Sequence, residues 1–468
     1  MRLPLFPRIM RGAVLSVLVA QALAPATSGA EVVNDMKAQF KRLGATKGTF
    51  CYALEDSQVK GIDQDQPMRI ASVAKTLTTF WAIESRGADY RFNTRLYVRP
   101  STGEMHIQGS NDPFFDRDRL FTLIADLNAK KVTKLNRVTA DHNVRVNYDA
   151  TEFRYWSRPS TVIKKKVHGK VRRIVVGGQT GGHDPKNPFF IAENHSDTSI
   201  SDQNIALRLQ QGLNTKMWTS YMSSRYGRSR AANPLAKLPE SVRLETAKVE
   251  ISDSNPLKGQ RGVYVFDIKS APLRTYLKKM NIDSINPMAE ELFFAMGGTT
   301  AFRAFMQKYF GMGKEVEGML IGSGVNLHSN PRRDTTVACS TVVKMIRRMD
   351  QDLEKKGFDL SDVMMVAGVD QGTWSTGGSS TVVKTGTLSA GSTVAKNLAG
   401  VMETTQGEVY FGIFLNGGKG QMSPKLRAAE TPVLRNFRPV PLKKAPFVFS
   451  PIDQETHMKM VGTIGVRS

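Results

Sequence analysis

Hydrophobic residues recur at helical spacing in three stretches of the chain. Residues 31–43 form an amphipathic pattern that ends at Gly44, and residues 71–84 carry apolar side chains three or four positions apart. Apolar residues at this spacing form one face of an α-helix. The third stretch, residues 287–296, begins with Pro and is followed by two glycines, as helices often are. The pattern therefore predicts three helices, with a strand over residues 48–53 between the first two.

The apolar and polar positions in the last part of the chain predict an antiparallel sheet. Residues 381–387, 398–404 and 409–415 are short runs rich in apolar and β-branched residues. Gln406-Gly407 supplies a tight turn between the last two runs. A terminal helix is predicted to follow over residues 424–436.

The chain has 468 residues, enough for two or three domains. Residues 96–269 consist of short alternating runs interrupted by Gly, Pro and basic loops, which predicts a largely β region of one or two subdomains.

Hydrophobic residues make up 40% and charged residues 23%, which excludes disordered, collagen-like and disulfide-stapled classes. The formal net charge of +23 indicates attraction to polyanions without saying which one.

The first thirty residues have the features of a secretory signal. Three arginines precede an apolar stretch over residues 13–24, and small residues lead to Ala30. We expect residues 1–30 to be removed on export, and the mature protein to lie in the periplasm or at the cell-wall face. No other segment of the sequence reaches the roughly 18 apolar residues of a transmembrane anchor. Export makes nucleic acid a poor candidate for the anionic partner and favours envelope polymers.

Cysteine and histidine usage leaves little room for metal chemistry. Cys51 and Cys339 are compatible with one disulfide in an exported chain and equally with two free thiols. The seven histidines show no H-E-x-x-H or other ligand spacing. No metal site is predicted.

Ser72 and Lys75 are the first candidate catalytic pair. Residues three apart share a helix face, so the amine and the hydroxyl can lie side by side. Serine needs an adjacent base to act as a nucleophile, and a buried lysine near other cations can lose its proton and become that base. The same S-x-x-K pattern also occurs at Ser57 and Lys60, in a polar turn. An alternative role for Ser72 is that of a helix N-cap without a catalytic function.

Two further strings carry polar side chains suited to one pocket. In Ser284-Ile285-Asn286, an extended backbone would direct the hydroxyl and the amide to the same side, although Asn before Pro287 is also an ordinary helix cap. Lys384-Thr385-Gly386-Thr387 ends a predicted strand, where Gly allows a substrate backbone to approach closely. Each string alone is weak evidence. The order S-x-x-K, S-x-N, K-T-G is far more specific.

This order resembles the serine acyl-transferases that bind penicillin. More closely, the chain resembles the class C low-molecular-mass penicillin-binding proteins of the penicillin-binding protein 4 type, which are D-Ala-D-Ala carboxypeptidases and endopeptidases. The resemblance covers residues 31 to about 440, with poor agreement in parts of 150–260. It rests on the surroundings of the motifs: the Ala-Glu helix after Ser284, Ile321-Gly-Ser-Gly-Val, Val366-Ala-Gly-Val-Asp, Leu398-Ala-Gly and the turn from Gly109 to Pro113.

The resemblance implies catalytic roles for four side chains. Ser72 would attack the carbonyl of the penultimate D-Ala in a muropeptide stem, and Lys75 would take its proton. Ser284 and Lys384 would relay a proton to the leaving group. The backbone N–H groups of Ser72 and Thr387 would form the oxyanion hole, and water would hydrolyse the acyl-enzyme. Neither a metal nor an organic cofactor is required.

Substrate-binding roles are implied in the same way. Lys384 and Thr385 would bind the terminal carboxylate, and Asn286 would hold the substrate amide or orient the catalytic lysine. Gly386 and Thr387 complete the strand along which the substrate lies. The implied partners are peptidoglycan muropeptides, and β-lactam antibiotics are the implied inhibitors. No nucleic-acid partner is expected.

The implied fold is of the α/β (α+β) class, a transpeptidase- or β-lactamase-like catalytic domain in which helices flank an antiparallel sheet. Residues 31–95 and 270–440 would form this domain. Residues 96–269 would be inserted between the first two motifs, and residues 441–468 would form a C-terminal tail.

The sequence departs from the family pattern in two places. Ile321 stands where the family has Asp, and the nearby Ser323 is either structural or in contact with substrate. The second departure is a basic cluster, either a solvated face or a docking surface for anionic envelope polymers. Its members are Lys164, Lys165, Lys166, Lys170, Arg172 and Arg173, with Arg225, Arg228 and Arg230 as an extension.

Three other functions fit parts of the pattern. A β-lactamase would share the serine–lysine chemistry but would hydrolyse the antibiotic quickly. A non-catalytic peptidoglycan-binding protein would use the basic insertion, and a nucleic-acid binder is suggested by charge alone. The balance of carboxypeptidase and endopeptidase activity, the third residue of the stem peptide and the oligomeric state stay open.

Overall fold

The computed structural model describes residues 29–44, 47–55, 57–115, 117–146, 161–167, 170–176, 202–213, 243–311, 318, 322–324, 334–370, 380–390, 393–417, 422–449 and 453–465. In chain order, the helices of this part are α1 Gly29–Leu43, α2 Ala74–Arg86, α3 Arg117–Ala129, α4 Asp202–Gly212, α5 Leu273–Asp283, α6 Asn286–Ala295, α7 Gly298–Phe310, α8 Cys339–Lys355 and α9 Met422–Phe437. The strands are β1 Lys47–Leu54, β2 Lys60–Ile62, β3 Pro67–Arg69, β4 Asn93–Arg99, β5 Glu104–Gln108, β6 Lys134–Leu135, β7 Arg137–Ala140, β8 Thr161–Val167, β9 Lys170–Val176, β10 Glu245–Thr246, β11 Val249–Ile251, β12 Val263–Lys269, β13 Thr336–Ala338, β14 Met365–Val366, β15 Thr381–Ala390, β16 Thr393–Thr404, β17 Gly407–Asn416 and β18 Lys459–Ile464. Short 3₁₀ turns cover Ala71–Val73, Leu360–Asp362 and Gln454–Thr456.

The first sheet has six antiparallel strands in the order β14-β15-β16-β17-β1-β2. β1, from the start of the chain, pairs along its whole length with β17, from near the end, so that Lys47 lies opposite Asn416. β16 and β17 are joined through residues 405 and 406, which confirms the predicted turn. Residues 409–415 of β17 are all buried, as expected for a central strand covered on both faces.

Helices cover both faces of this sheet. α2, α5, α6 and α8 share one hydrophobic core with it, and α1 and α9 share another. Val382 and Val383, adjacent on β15, belong to the two different cores because successive strand residues point to opposite faces. α2 is buried from Ala74 to Ile83, so its position is fixed on all sides. An antiparallel sheet between helical layers is the fold class that the sequence predicted.

A second, mixed sheet has the order β11-β7-β5-β4-β12-β18. Its last strand comes from the predicted tail and pairs with β12. α3 and α4 pack on the core of this sheet, so the described part of the insertion holds helices as well as strands. The short alternating runs did not predict α3, although its buried residues Leu120, Ile124 and Leu127 have helical spacing. The boundaries at 96 and 269 stay a prediction.

The turn from Gly109 to Pro113 connects the second sheet to the first core. Phe114, next in the chain, stacks on Tyr276 of α5 with ring centroids 4.0 Å apart. The buried Asp112 carboxylate accepts a hydrogen bond from Arg119 at 3.3 Å, and Arg119 also donates to the carbonyl of Ile268. This turn therefore has a structural role.

A disulfide joins Cys51 of β1 to Cys339 at the start of α8, which decides between the two alternatives left open by the sequence. Gly412 of β17 makes room for it, because a Cβ there would lie 2.7 Å from the Cys339 Sγ atom. The bond links positions 288 residues apart. In the chain-entropy account, such a bond stabilises the protein mainly by restricting the unfolded chain.

Removing the disulfide should lower the free energy of unfolding by about 2–5 kcal/mol. The variant is Cys51→Ala combined with Cys339→Ala, and urea denaturation of both proteins measures the difference. Unmodified protein treated with a reductant should approach the variant. Equal stability of the oxidised protein and the variant would contradict this account.

Candidate active site

Ser72 lies on the 3₁₀ turn Ala71–Val73, directly before α2 and not inside it. Val73 is the N-cap residue of α2, so Ser72 does not serve as its cap. Two glycines allow close packing around the turn. A Cβ at Gly324 would lie 2.1 Å from the Ala71 carbonyl oxygen, and one at Gly386 would lie 2.4 Å from that of Ile70. The turn is therefore held between the loop 322–324 and β15.

Lys75 lies one turn further along, and its Nζ atom is at the centre of a hydrogen-bond network. It donates to Ser72 Oγ at 3.0 Å, to Asn286 Oδ1 at 2.6 Å and to the Ser323 carbonyl oxygen at 3.4 Å. Lys75 is fully buried, whereas Ser72 keeps 8% of its surface exposed. The predicted pairing of amine and hydroxyl is present, and Ser72 is not completely enclosed.

Ser284 and Asn286 lie on a turn between two helices, so the expectation of extended backbone was wrong. Ser284 follows α5 in a left-handed conformation with φ of 56°, and Asn286 is the first residue of α6. Pro287, in the first turn of α6, favours the start of a helix there. The two side chains consequently reach different lysines: Asn286 contacts Lys75, and Ser284 contacts Lys384.

Lys384 is the second buried lysine of this site. Its Nζ donates to Ser284 Oγ at 3.1 Å and to the Thr385 carbonyl oxygen at 2.9 Å. β14 pairs only with Val382 and Val383, so within the described residues the edge of β15 is open from Lys384 to Thr387. The K-T-G string therefore lies along this edge, with Gly386 packed against the turn that carries Ser72.

Burial lowers the pKa of both lysines, because loss of solvation disfavours the charged form. Burial, helped by the charge of Lys384, holds the pKa of Lys75 well below its usual range, while Glu290 opposes the shift. Burial and the charge of Lys396 lower the pKa of Lys384 to about 7, against the charge of Asp283. Burial therefore favours the unprotonated amine of Lys75 over the ammonium form.

Glu290 of α6 belongs to this site, although no motif in the sequence pointed to its carboxylate. That carboxylate accepts hydrogen bonds from the backbone N–H groups of Ser323 at 2.8 Å and Gly322 at 3.3 Å. Glu290 thus holds the loop whose Ser323 carbonyl contacts Lys75. The available signal was the Ala-Glu pair at residues 289–290, but spacing alone does not show which loop a side chain will reach.

The other candidates lie outside this centre or outside the described residues. Ser57 Oγ accepts a hydrogen bond from the Leu54 backbone, and Lys60 is exposed on β2, so this S-x-x-K copy is a surface turn. Ile321 and residues 225–230 lie outside the described residues, as do residues 1–28 of the predicted signal. In the part of the chain that the structure describes, no group of three or more His, Cys, Asp or Glu side chains could hold a metal. No helix among these residues is long and apolar enough to cross a membrane.

Buried serine–lysine pairs beside the edge of an antiparallel sheet define a serine enzyme of the acyl-transfer type. The family model described as the D-Ala-D-Ala carboxypeptidase 3 (S13) family matches residues 30–157 and 229–436. The chain belongs to this family, which confirms the predicted assignment to serine-type D-Ala-D-Ala carboxypeptidases. Comparison with curated protein sequences gives no match.

Solved structures of similar fold support the same architecture. The Bd0816 predatory endopeptidase of Bdellovibrio bacteriovorus, in complex with immunity protein Bd3460, is 25% identical with a TM-score of 0.68, covering 88% of this chain and 99% of its own. Penicillin G-acylated Bd3459 from the same organism is 24% identical with a TM-score of 0.69 and the same coverage. Penicillin-binding protein 4 (dacB) of Haemophilus influenzae is 17% identical with a TM-score of 0.55, covering 86% and 99%. These likenesses confirm the predicted fold class.

Glu290→Gln should move the acidic limb of the pH profile of acylation by benzylpenicillin to lower pH, by about one pH unit. The negative charge of Glu290 favours the protonated form of Lys75. Without that charge, Lys75 loses its proton at lower pH. Acylation rates measured from acidic to alkaline pH locate the limb. Glu354→Gln, an exposed position on α8, is the control for charge, and an upward shift in Glu290→Gln would contradict the assignment.

Proposed function

We propose that the protein hydrolyses bonds after D-Ala in peptidoglycan stem peptides through an acyl-enzyme on Ser72. The observation that carries the proposal is the buried Lys75 amine, which contacts both Ser72 Oγ and Asn286 Oδ1. A serine beside an amine of strongly lowered pKa has the base that it needs. The family supplies the substrate class, peptides that end in D-Ala-D-Ala.

In the acylation step, Lys75 Nζ accepts the proton of Ser72 while Ser72 Oγ bonds to the carbonyl carbon of the penultimate D-Ala. Asn286 holds the amine in place through its Oδ1 atom. Negative charge develops on the carbonyl oxygen, where the backbone N–H groups of Ser72 and Thr387 would stabilise it.

The intermediate collapses when the bond to the leaving nitrogen breaks and that nitrogen takes up a proton. Ser284, hydrogen-bonded to Lys384, would relay this proton. Once the leaving nitrogen has received the proton that Lys75 removed from Ser72, water would attack the acyl carbon and Lys75 would take one proton from it. The bond between the acyl carbon and Ser72 Oγ would then break, Lys75 would return the proton to Oγ, and the acid product would leave. A β-lactam keeps its leaving nitrogen tethered within the same molecule, so its acyl-enzyme should persist.

The open edge of β15 would accept the stem peptide as an added strand. Lys384 and Thr385 would bind its terminal carboxylate. Carboxypeptidase and D,D-endopeptidase activities use the same acyl chemistry and differ in the group that leaves from the scissile bond, so the proposal includes both. The solved relatives from Bdellovibrio bacteriovorus are named as endopeptidases.

We also propose that the protein acts outside the cytoplasm. The disulfide between Cys51 and Cys339 supports it, because disulfides persist in oxidising compartments. Peptidoglycan is also found only outside the cytoplasmic membrane. We place the mature protein in the periplasm or at the cell-wall face.

We further propose that the basic hairpin β8–β9 docks on anionic envelope polymers. The register places Lys164 opposite Arg173 and Lys165 opposite Arg172. Like charges directly opposite each other destabilise an antiparallel pair, and an anionic partner would remove the repulsion.

Incubation of residues 31–468 with benzylpenicillin should add the mass of one drug molecule, and Ser72→Ala should remove this persistent adduct. Mass spectrometry of the intact protein measures both. Digestion of muropeptides then separates carboxypeptidase from endopeptidase activity. Rapid hydrolysis of the drug without an adduct would indicate a β-lactamase. Neither adduct nor turnover would indicate a non-catalytic binding protein.

Lys165→Gln combined with Arg172→Gln should lower retention on purified peptidoglycan sacculi severalfold at low salt. The control, Lys37→Gln with Lys41→Gln on the exposed side of α1, removes the same charge elsewhere. Salt screens exposed charges, so the difference should vanish as ionic strength rises. Co-sedimentation measures retention. Equal retention of the two variants at low salt would contradict a docking role for the hairpin.

A further inference from the structure

Asn397 of β16 has a buried side chain that the mechanism above does not use. Its Nδ2 atom donates a hydrogen bond to the Arg69 carbonyl oxygen at 2.8 Å, and the side-chain amide of Asn416, on β17, donates to the same oxygen at 3.2 Å. Arg69 lies three residues before Ser72. We propose that Asn397 is a positioning residue for acylation, which fixes the backbone that presents Ser72 Oγ to Lys75. This inference rests on the proposed function, because it requires an acyl-enzyme on Ser72.

The peptide bond between Arg69 and Ile70 is held from both sides. A planar trans peptide directs its C=O and N–H groups in opposite directions. The C=O group of Arg69 accepts hydrogen bonds from the two asparagine side chains. On the opposite side, the N–H group of Ile70 donates to the Thr335 carbonyl oxygen at 3.2 Å. The plane of this peptide therefore cannot rotate without breaking hydrogen bonds.

Ala71, which lies between this peptide and Ser72, has a left-handed backbone with φ of 48°. Such a backbone is unfavourable for a residue that has a Cβ atom, so it persists only where the surrounding structure holds it. Release of the Arg69 carbonyl would let the backbone at Ala71 relax, and rotation there would move the Ser72 side chain relative to Lys75. The hydrogen bond of Asn397 thus acts on the nucleophile without touching it.

The sheet brings Asn397 to this peptide at the position where β15 has a glycine. Asn397 lies directly opposite Gly386 in the pairing of β15 with β16. The turn that carries Ser72 packs closely on Gly386, where a Cβ would lie 2.4 Å from the Ile70 carbonyl oxygen. Directly opposite residues of an antiparallel pair share a face of the sheet. The Asn397 amide therefore reaches the same backbone from the neighbouring strand.

Stability alone does not account for an amide at this position. The Asn397 side chain is completely buried, and within the described residues its Oδ1 atom has no hydrogen-bond partner. A buried polar atom without a partner costs stability, and an apolar side chain of the same shape would avoid that cost. The Arg69 carbonyl would still accept from Asn416. The amide is therefore better explained by a role in catalysis.

The test replaces Asn397 with leucine, which has the same branched shape and donates no hydrogen bond. Acylation rates measured over a range of benzylpenicillin concentrations separate the maximal rate from the half-saturating concentration. Asn397→Leu should lower the maximal rate about tenfold and keep the half-saturating concentration, because the amide acts on the nucleophile and not on the drug. The temperature of thermal unfolding should not fall.

Asn281→Leu is the matched control. Asn281 of α5 is also completely buried, and its Nδ2 atom donates to Thr79 Oγ1 at 2.9 Å and to the Val363 carbonyl oxygen at 2.8 Å. Neither partner belongs to the turn that carries Ser72. Asn281→Leu should lower the temperature of unfolding, since two buried hydrogen bonds are lost, and should keep the maximal rate of acylation.

Asn416→Ala should lower the maximal rate about twofold, because its hydrogen bond to Arg69 is the longer one. The double variant should lose about a hundredfold, more than the product of the single losses, since each amide holds the carbonyl when the other is absent. None of these changes removes a charge, so the pH profile of acylation should keep its position. Asn397→Val is the second variant should Asn397→Leu fail to fold.

Three results would overturn the inference: an unchanged maximal rate in Asn397→Leu, a rise in its half-saturating concentration alone, or equal losses of rate and of stability in the Asn397 and Asn281 variants. Failure of benzylpenicillin to acylate Ser72 in the unmodified protein would instead overturn the proposed function. Acylation of Ser72 at a rate insensitive to Asn397 would overturn this inference alone.

Discussion

Burial of the Lys75 amine between Ser72 and Asn286 is the constraint on which the rest of the site depends. A lysine can act as a base at neutral pH only when its surroundings disfavour the charged form. The same burial would be costly without polar partners, and three oxygen atoms surround the amine. Two of them come from residues 211 and 248 positions away. The base therefore exists only in the packed protein.

Glu290, Gly324 and Gly386 all support the arrangement around the Lys75 amine. Glu290 fixes the loop that presents the Ser323 carbonyl to Lys75. Gly324 and Gly386 allow the loop and β15 to close on the turn that carries Ser72, since a Cβ at either position would meet backbone. A change at any of them should act on catalysis through the geometry of the amine, without touching the substrate.

The basic residues that make the chain strongly positive have different roles. Lys75 and Lys384 are buried, have lowered pKa values and would transfer protons in the proposed mechanism. The basic hairpin β8–β9 lies in the region of the predicted insertion and would dock on anionic envelope polymers. Net charge alone could not separate the buried lysines of the site from the basic residues of the hairpin.

The sequence by itself determined the features that depend on local spacing: the buried helix after Ser72, the hairpin of β16 and β17, and the pairing of Ser72 with Lys75, three residues apart. The order of the three motifs indicated the penicillin-binding acyl-transferases, and the residues around the motifs indicated the family. Only the tertiary structure decided that Cys51 is bonded to Cys339 and that Ser284 and Asn286 turn to different lysines. Spacing within one helix or strand fixes the direction of a side chain, because the backbone there repeats. Contacts between distant segments depend on how the whole chain packs, and no local pattern contains that information.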